Sequence, residues 1–329
     1  MATYSDFDGT YFTVQSLLLH HQEALQDCEI LVVDNAPHLP LAQTLQNYCR
    51  SVSSDERPVR YVPFGQAVGT SPARNAIFQH ATGDYVLVLD CHVLLALGSL
   101  QRLREYLESH HPCDDLIQGV FLSDDCYQLW THFADVWRAE MWGIWGTDPR
   151  GEDPDGEPFP IFAQGLGMFC ARRESWLGFH PLARGFGGEE CYIHEKYRRA
   201  GRQCLCLPGL RCVHRFARPG GVPYPLSQWN KVRNYVLEFR ELGLSLDRLY
   251  RHFVEGIGED PGDGSPPLEP LHRETGAGIG RGTLPRFPRF DPPGLGEGPL
   301  ANPRAGRFRS GIYSATAGGL RPSGRSPGH

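Results

Sequence analysis

Residues Tyr85-Val86-Leu87-Val88-Leu89 form an unbroken apolar, β-favouring run, and the run ends at once in Asp90-Cys91-His92. A run of that length, apolar at every position, reads as a strand buried on both faces, the pattern of a parallel sheet covered by helices. In open α/β sheets, ligands bind beyond the carboxyl ends of the strands. Residues two apart on a strand point to the same side, so Asp90 and His92 can reach one ion together. Carboxylate plus imidazole suits a borderline divalent metal such as Mn²⁺ better than Ca²⁺. The competing reading is a strand that simply runs into a polar loop.

At 329 residues and 40% hydrophobic content, the chain can bury a substantial core. Its net charge of −6 and pI near 6.2 argue against nucleic acid as a partner. No apolar stretch approaches the ~20 residues of a membrane span, and the first residues lack the pattern of a secretory signal. The ten cysteines are scattered and include no CxxC pair. A structural zinc site is therefore not indicated, and a reducing cytoplasm is expected.

Two regimes divide the chain. Residues 1–256 alternate strand-like and helix-like segments. Residues 257–329 read as a disordered tail: 258–329 hold 16 Gly and 12 Pro in 72 residues, with interspersed arginines and isolated apolar side chains. In the front part, Val14, Leu17, Leu18, His21 and Leu25 mark a helical face. Glu29 to Val33 is a strand ending at Asp34-Asn35, and Leu41, Leu45 and Tyr48 fit a second helix. A short strand at 59–64 precedes a helix opened by Ser71 as N-cap and Pro72 at its first turn. A helix at 98–109 and a strand at 116–122 follow the Asp90 strand. This alternation predicts an α/β fold with a mostly parallel central sheet flanked by helices. Such a unit normally begins with its own strand. Here Ala2-Thr3-Tyr4-Ser5-Asp6 reads as the loop leaving that strand, so the first strand is expected to be truncated, with a start further upstream.

Trp130, Phe133, Trp137, Trp142 and Trp145 fall within sixteen residues at spacings of three to five. These spacings suggest a shared helix face in the core, from which one or two rings could line an acceptor site. Residues 148–160 read as a Pro/Gly/acid-rich lid loop. Gly185-Phe186-Gly187-Gly188 turns into a helix beginning with Glu189 and Glu190. His214 closes a later short strand. Acids at a helix start can be no more than a complement to its dipole.

Taken together, these motifs resemble family 2-like glycosyltransferases with the GT-A fold, over residues 2 to about 216. The Asp90-Cys91-His92 motif and the Phe186-Gly187-Gly188-Glu189-Glu190 motif are similar to those of the polypeptide N-acetylgalactosaminyltransferases. The resemblance implies a metal site of Asp90, His92 and His214 for Mn²⁺ (or Mg²⁺). It implies a nucleotide site of Thr3, Tyr4, Asp34, Arg74 and Asp90, and catalytic roles for Glu190 and Glu189. It departs from those enzymes in the opening strand, in the absence of a lectin-like region, and in the glutamate at 190, where they have Asn and the similar motif of the β-1,4-galactosyltransferases has Asp.

The implied reaction moves a sugar from a nucleotide-sugar, expected to be a UDP-sugar, to a hydroxyl of a glycan, lipid-linked or protein acceptor. Glu190 would be the base of an inverting displacement. Arg74 could instead be a structural ion-pair partner, and Asp34 a turn former. Arg172, Arg173 and Trp176 could line the donor pocket or form a salt-bridged surface. Two other classes compete. A nucleotidyltransferase would need a basic, Gly-rich loop, yet residues 3–13 hold one glycine and no Lys or Arg. An inactive GT-A relative would bind nucleotide or glycan without turnover.

Overall fold

The computed structural model describes residues 1–217 and 221–256; the tail expected over 257–329 lies outside the described residues. The chain opens with β1 (Ala2–Thr3), α1 (Phe7–His20), β2 (Ile30–Asp34), α2 (Leu41–Val52), β3 (Val59–Pro63) and α3 (Thr70–His80). Then come β4 (Tyr85–Leu89), β5 (Val93–Leu95), α4 (Ser99–Ser109), β6 (Leu116–Leu122) and β7 (Leu129–Trp130). β8 (His132–Arg138), β9 (Met141–Gly146), β10 (Phe159–Pro160) and β11 (Met168–Arg172) follow. The described part closes with α5 (Glu189–Arg199), β12 (Cys204–His214), α6 (Gln228–Glu241) and α7 (Asp247–Phe253).

Strands β1, β2 and β3 pair in parallel in the order β1-β2-β3. A parallel bridge from Ala2 to Asp90 links this group to β4. Beyond β4 the order runs β4-β11-β6-β12-β10; β6 and β12 are parallel, and β11 lies antiparallel between β4 and β6. The result is the α/β architecture of the GT-A fold, with two apolar clusters on the faces of the sheet. One contains Val14, Leu17, Leu100 and Leu103 from α1 and α4. The other contains Ile77 and Phe78 from α3 with Tyr192 and Ile193 from α5.

A first strand is present as the two residues Ala2–Thr3, placed against Val33 and Asp34, in the stretch where a loop was expected. Helix α1 starts at the cap Asp6, which accepts from Gly9 N at 2.9 Å, and ends at His20, so Leu25 lies beyond it. The cap of α3 is Gly69, not Ser71. Gly69 N donates to Asn35 Oδ1 at 2.9 Å, and a Cβ there would sit 2.3 Å from Gly185 O. Close backbone approach between these two loops therefore sets where the helix begins.

The aromatic segment is a β-hairpin, not a helix. β8 pairs antiparallel with β9, which sets Phe133 opposite Trp145 and Trp137 opposite Trp142. Trp137, fully buried, packs with Tyr235, Phe239 and Phe253 of α6 and α7. Spacings of three to five mimic a helical stripe, but aromatic residues favour strands, and cross-strand pairing brings the rings together. The loop read as a lid is fastened: Arg211 donates to Gly151 O at 2.6 Å and Glu152 O at 2.8 Å, Arg102 pairs with Asp155, and Phe159 is buried.

Candidate active site at the end of the Asp90 strand

Three ligand-bearing side chains converge just past β4. Asp90 leaves the strand end, His92 follows two residues on, and β12 delivers His214 opposite Val93 of β5. Asp90 Oδ2 lies 3.7 Å from His92 Nε2 and 3.8 Å from His214 Nε2. The two imidazole rings meet edge-to-face at 4.8 Å. All three ligand atoms fall within 4.8 Å of one another. Ligand atoms ~2.0–2.2 Å from a common ion lie up to about 4.4 Å apart, so this donor set fits one divalent cation with small side-chain adjustment. Gly167 makes room for it: a Cβ there would stand 2.9 Å from His214 Cδ2.

The other oxygen of Asp90 is fixed from behind. Arg74, 5% exposed on α3, donates from Nη2 to Asp90 Oδ1 at 3.0 Å and from Nη1 to Glu189 Oε1 at 2.8 Å. Burial opposes ionisation of Asp90. The Arg74 guanidinium, with the His214 and His92 imidazoles close by, outweighs it and holds the carboxyl well below the usual range. Arg74 therefore ties together α3, β4 and α5, with both arms of its guanidinium engaged.

Glu189 and Glu190 open α5 behind Gly188, whose φ of 109° favours glycine. Glu189 is buried, and its Oε2 has no hydrogen-bond partner among the described residues. Glu190 is partly exposed. Burial of its carboxyl, reinforced by the Glu189 charge, pushes it up to about 7, against the pull of Arg74 and Lys231. His194, one turn on, is fully buried, and burial lowers it to about 3. Its Nδ1 lies 2.7 Å from Glu190 O and its Nε2 3.0 Å from Gln118 Nε2. The neutral tautomer with the proton on Nδ1 satisfies both contacts. His194 is thus a packing residue.

The nucleotide candidates cluster beside this centre. Thr3 is buried; its hydroxyl donates to Asp6 O at 3.3 Å and accepts from Thr10 Oγ1 at 3.1 Å. Tyr4 stands edge-on to Phe186 at 5.8 Å and to Tyr224 at 6.4 Å, and those two rings stack at 3.9 Å. Asp34 accepts from Ala36 N at 2.9 Å and from Tyr61 Oη at 2.8 Å. A small crevice bounded by Ser5, Asp6, Asp34 and Leu39 lies next to it.

Arg172, Arg173 and Trp176 lie elsewhere. Arg172 pairs across the sheet with Tyr85, at the opposite end of β4 from Asp90, and is bonded to Asp114 and Glu174. Trp176 stacks on Phe78 at 4.0 Å. Ion pairs are thus made by Arg172, while Arg173 donates from Nε to Gly83 O at 2.9 Å. Glu238 is a further acid at this site that no sequence motif marks. It is fully buried on α6 near Gly188, and neither of its oxygens has a hydrogen-bond partner among the described residues. Burial, with Glu189 and Glu190 close by, pushes its carboxyl well above the usual range. An acid within an amphipathic helix carries no local signal of such a position.

One solved structure with the same fold is described as GalNAc-T7 with UDP, GalNAc and Mn²⁺; it has a TM-score of 0.56 and 17% identity, over 73% of this chain and 46% of that one. The chain thus spans less than half the length of that relative. A second is the mannosyltransferase PcManGT from Pyrobaculum calidifontis in complex with GDP-Man and Mn²⁺, with a TM-score of 0.48 and 17% identity, over 73% of this chain and 61% of that one. No curated protein sequence gave a match. The family model for glycosyl transferase family 2 matches residues 1–173, which carry the Asp90 strand end and the helix of Arg74, and the chain belongs to that family.

Proposed function

We propose that this protein is a divalent-cation-dependent glycosyltransferase that moves a sugar from a nucleotide-sugar, a UDP-sugar in our reading, to a hydroxyl acceptor with inversion. The observation that carries the reading is the convergence of Asp90, His92 and His214 at the end of β4, with Arg74 linking Asp90 to the Glu189-Glu190 helix start. The Mn²⁺ and UDP named for the GalNAc-T7 structure support the choice of ion and nucleotide. Hexosyl and N-acetylhexosaminyl donors are both consistent with the residues present.

Asp90 Oδ2, His92 Nε2 and His214 Nε2 would hold Mn²⁺ (or Mg²⁺). When bound, such an ion neutralises charge developing on a diphosphate leaving group. Arg74 keeps Asp90 ionised and oriented, and it does so from a buried position. Tyr4 offers a ring face or edge to the nucleoside, and Thr3 holds the shape of the loop that presents Tyr4. Each Asp34 oxygen has a second lone pair, so it can keep its existing bonds and accept a base N–H.

Glu190 supplies the base. A carboxyl near 7 is about half ionised at neutral pH and matched to proton transfer there. The acceptor oxygen attacks the anomeric carbon, its proton passes to Glu190, and the bond to the diphosphate breaks. Glu189 stays paired with Arg74 and orients the helix start that carries Glu190.

The test is release of UDP from a panel of UDP-sugars by purified protein with Mn²⁺, with Asp90→Asn as the paired variant. The proposal expects metal-dependent release that Asp90→Asn abolishes while the fold persists by circular dichroism. Full turnover in that variant, or no release from any nucleotide-sugar, would overturn it.

A further inference from the structure

Cys91 stands in sequence between Asp90 and His92, and a second group of ligand atoms gathers around it. Its Sγ lies 3.7 Å from Asp6 Oδ2 and 3.8 Å from His92 Nδ1. Asp6, Cys91 and His92 each offer a ligand atom within 4.8 Å of the others. Atoms ~2.0–2.3 Å from a tetrahedral ion lie about 3.3–3.8 Å apart. Both sulfur distances already match that geometry.

The surroundings hold the three side chains in place. Asp6 caps α1 through Oδ1, which accepts from Gly9 N at 2.9 Å, and it turns Oδ2 to Cys91. A Cβ at Gly9 would stand 2.8 Å from Asp6 Oδ2 and 2.6 Å from Cys91 O. Glycine weakens a helix, and here it lets α1 come this close to the strand end. Thr13, one turn on, donates to Cys91 O at 3.0 Å and to Val93 O at 2.9 Å. The group is therefore built on fixed elements. Cys91 is 5% exposed, which shields a metal–sulfur bond from water. Asp6 also lines the crevice it shares with Asp34, which gives an ion a way in.

His92 belongs to both groups. Its Nδ1 is the nitrogen near Cys91, and its Nε2 lies 3.7 Å from Asp90 Oδ2. A neutral imidazole has one lone pair, on the nitrogen that lacks the proton. The tautomer that offers Nε2 to an ion beside Asp90 and His214 carries its proton on Nδ1. The tautomer that offers Nδ1 to an ion beside Cys91 and Asp6 carries it on Nε2. The ring thus serves one ion at a time. The donor sets also select differently: a carboxylate with imidazoles suits Mn²⁺, whereas a thiolate selects softer ions such as Zn²⁺.

We propose that Asp6, Cys91 and His92 form a second metal site, selective for a thiophilic divalent cation such as Zn²⁺, and that an ion bound there takes His92 from the Asp90 site and so inhibits it. Cys91 binds as the thiolate, and its proton leaves to solvent. The site stands on its own three residues; the inhibition rests on the reading of Asp90, His92 and His214 as a Mn²⁺ site. Because the two ions compete for one ligand, each weakens the other by the same factor.

The probe is Cd²⁺, whose bond to a thiolate absorbs in the ultraviolet. Titration of the full chain should give this absorption in its tightest binding step, and Cys91→Ser should remove that step. Asp6→Asn keeps a capping side chain but loses the anionic ligand, so it should weaken Cd²⁺ at least about ten-fold. Circular dichroism checks that each variant is folded. The same absorption in Cys91→Ser would overturn the proposal, since other cysteines would then hold the ion. So would tight Cd²⁺ uptake without thiolate absorption, which places the ion at the Asp90 site alone. If Cys91→Ser does not fold, the cadmium resonance of the unaltered chain decides the same point, because its shift separates a site with sulfur from one with only nitrogen and oxygen. The inhibition is read from the paramagnetic resonance of free Mn²⁺ in the presence of UDP. Cd²⁺ should release Mn²⁺ from the unaltered chain at concentrations at least about ten-fold below those needed with Cys91→Ser. Equal concentrations in the two forms would overturn the competition for His92. If Mn²⁺ binds neither form, the reading of the Asp90 site fails, and the thiolate absorption still decides the second site.

Discussion

Replacing Arg74 by methionine removes the guanidinium that sits between Glu189 and Asp90. Arg74 is buried and bonded to them at 2.8 and 3.0 Å. Its loss leaves Glu189, 1% exposed, with a buried charge and no cation. Breaking a buried pair by deleting one partner costs about 3–5 kcal/mol, a large share of a typical stability of ~5–15 kcal/mol. Urea unfolding followed by tryptophan fluorescence reads this directly. With a slope of ~2–3 kcal/mol per M, the midpoint at pH 7 should fall by about 1–2 M. Adding Glu189→Gln to the variant removes the orphaned charge, so the double variant should recover at least about 1 kcal/mol. The pH dependence has a defined sign. Asp90 is held below its unfolded value of ~3.9. Its contribution is therefore full above that value and disappears as pH falls through the folded one. The gap between wild type and Arg74→Met should be widest above about pH 5 and should narrow in acid. A gap below about 1 kcal/mol at pH 7, or one that widens on acidification, would refute the role given to Arg74.

Glu190→Gln should lower sugar transfer by about 10²–10⁴-fold and leave UDP binding intact. It should also remove the rise of rate with pH centred near 7, which a pH–rate profile shows. Gly167→Ala places a Cβ 2.9 Å from His214 Cδ2 and 3.2 Å from Phe121 Cε1. Its Mn²⁺ affinity by titration should fall by about 10–100-fold, as when groups that orient a ligand are disturbed. Trp137→Ala, at a ring with no exposure, should cost about 3–5 kcal/mol in urea unfolding while the metal affinity of the folded protein is unchanged.

Much of this arrangement was legible in the chain because its signals are local. The apolar run before Asp90 is a strand at Tyr85–Leu89, and the strand expected at 116–122 is Leu116–Leu122. The helix expected to begin with Glu189 and Glu190 is Glu189–Arg199. The aromatic hairpin was not legible. Its turn passes through Ala139 at φ 49°, without the Gly or Asn that announces such a turn. The nearness of His214 to Asp90 depends on β12, which shifts register against β6 between Leu207 and Arg211, a long-range effect no local pattern encodes. Glu238 and the double engagement of Arg74 likewise exist only once α3, α5 and α6 are packed together.

The most direct test of the account is titration of Mn²⁺ into the protein with and without UDP, followed by the electron paramagnetic resonance of the free ion. The account predicts one Mn²⁺ bound in the presence of UDP, with binding lost in His214→Ala and in Asp90→Asn, while circular dichroism stays native. Undiminished Mn²⁺ binding in both variants would contradict the site, and with it the assignment of Asp90, His92 and His214 to one ion.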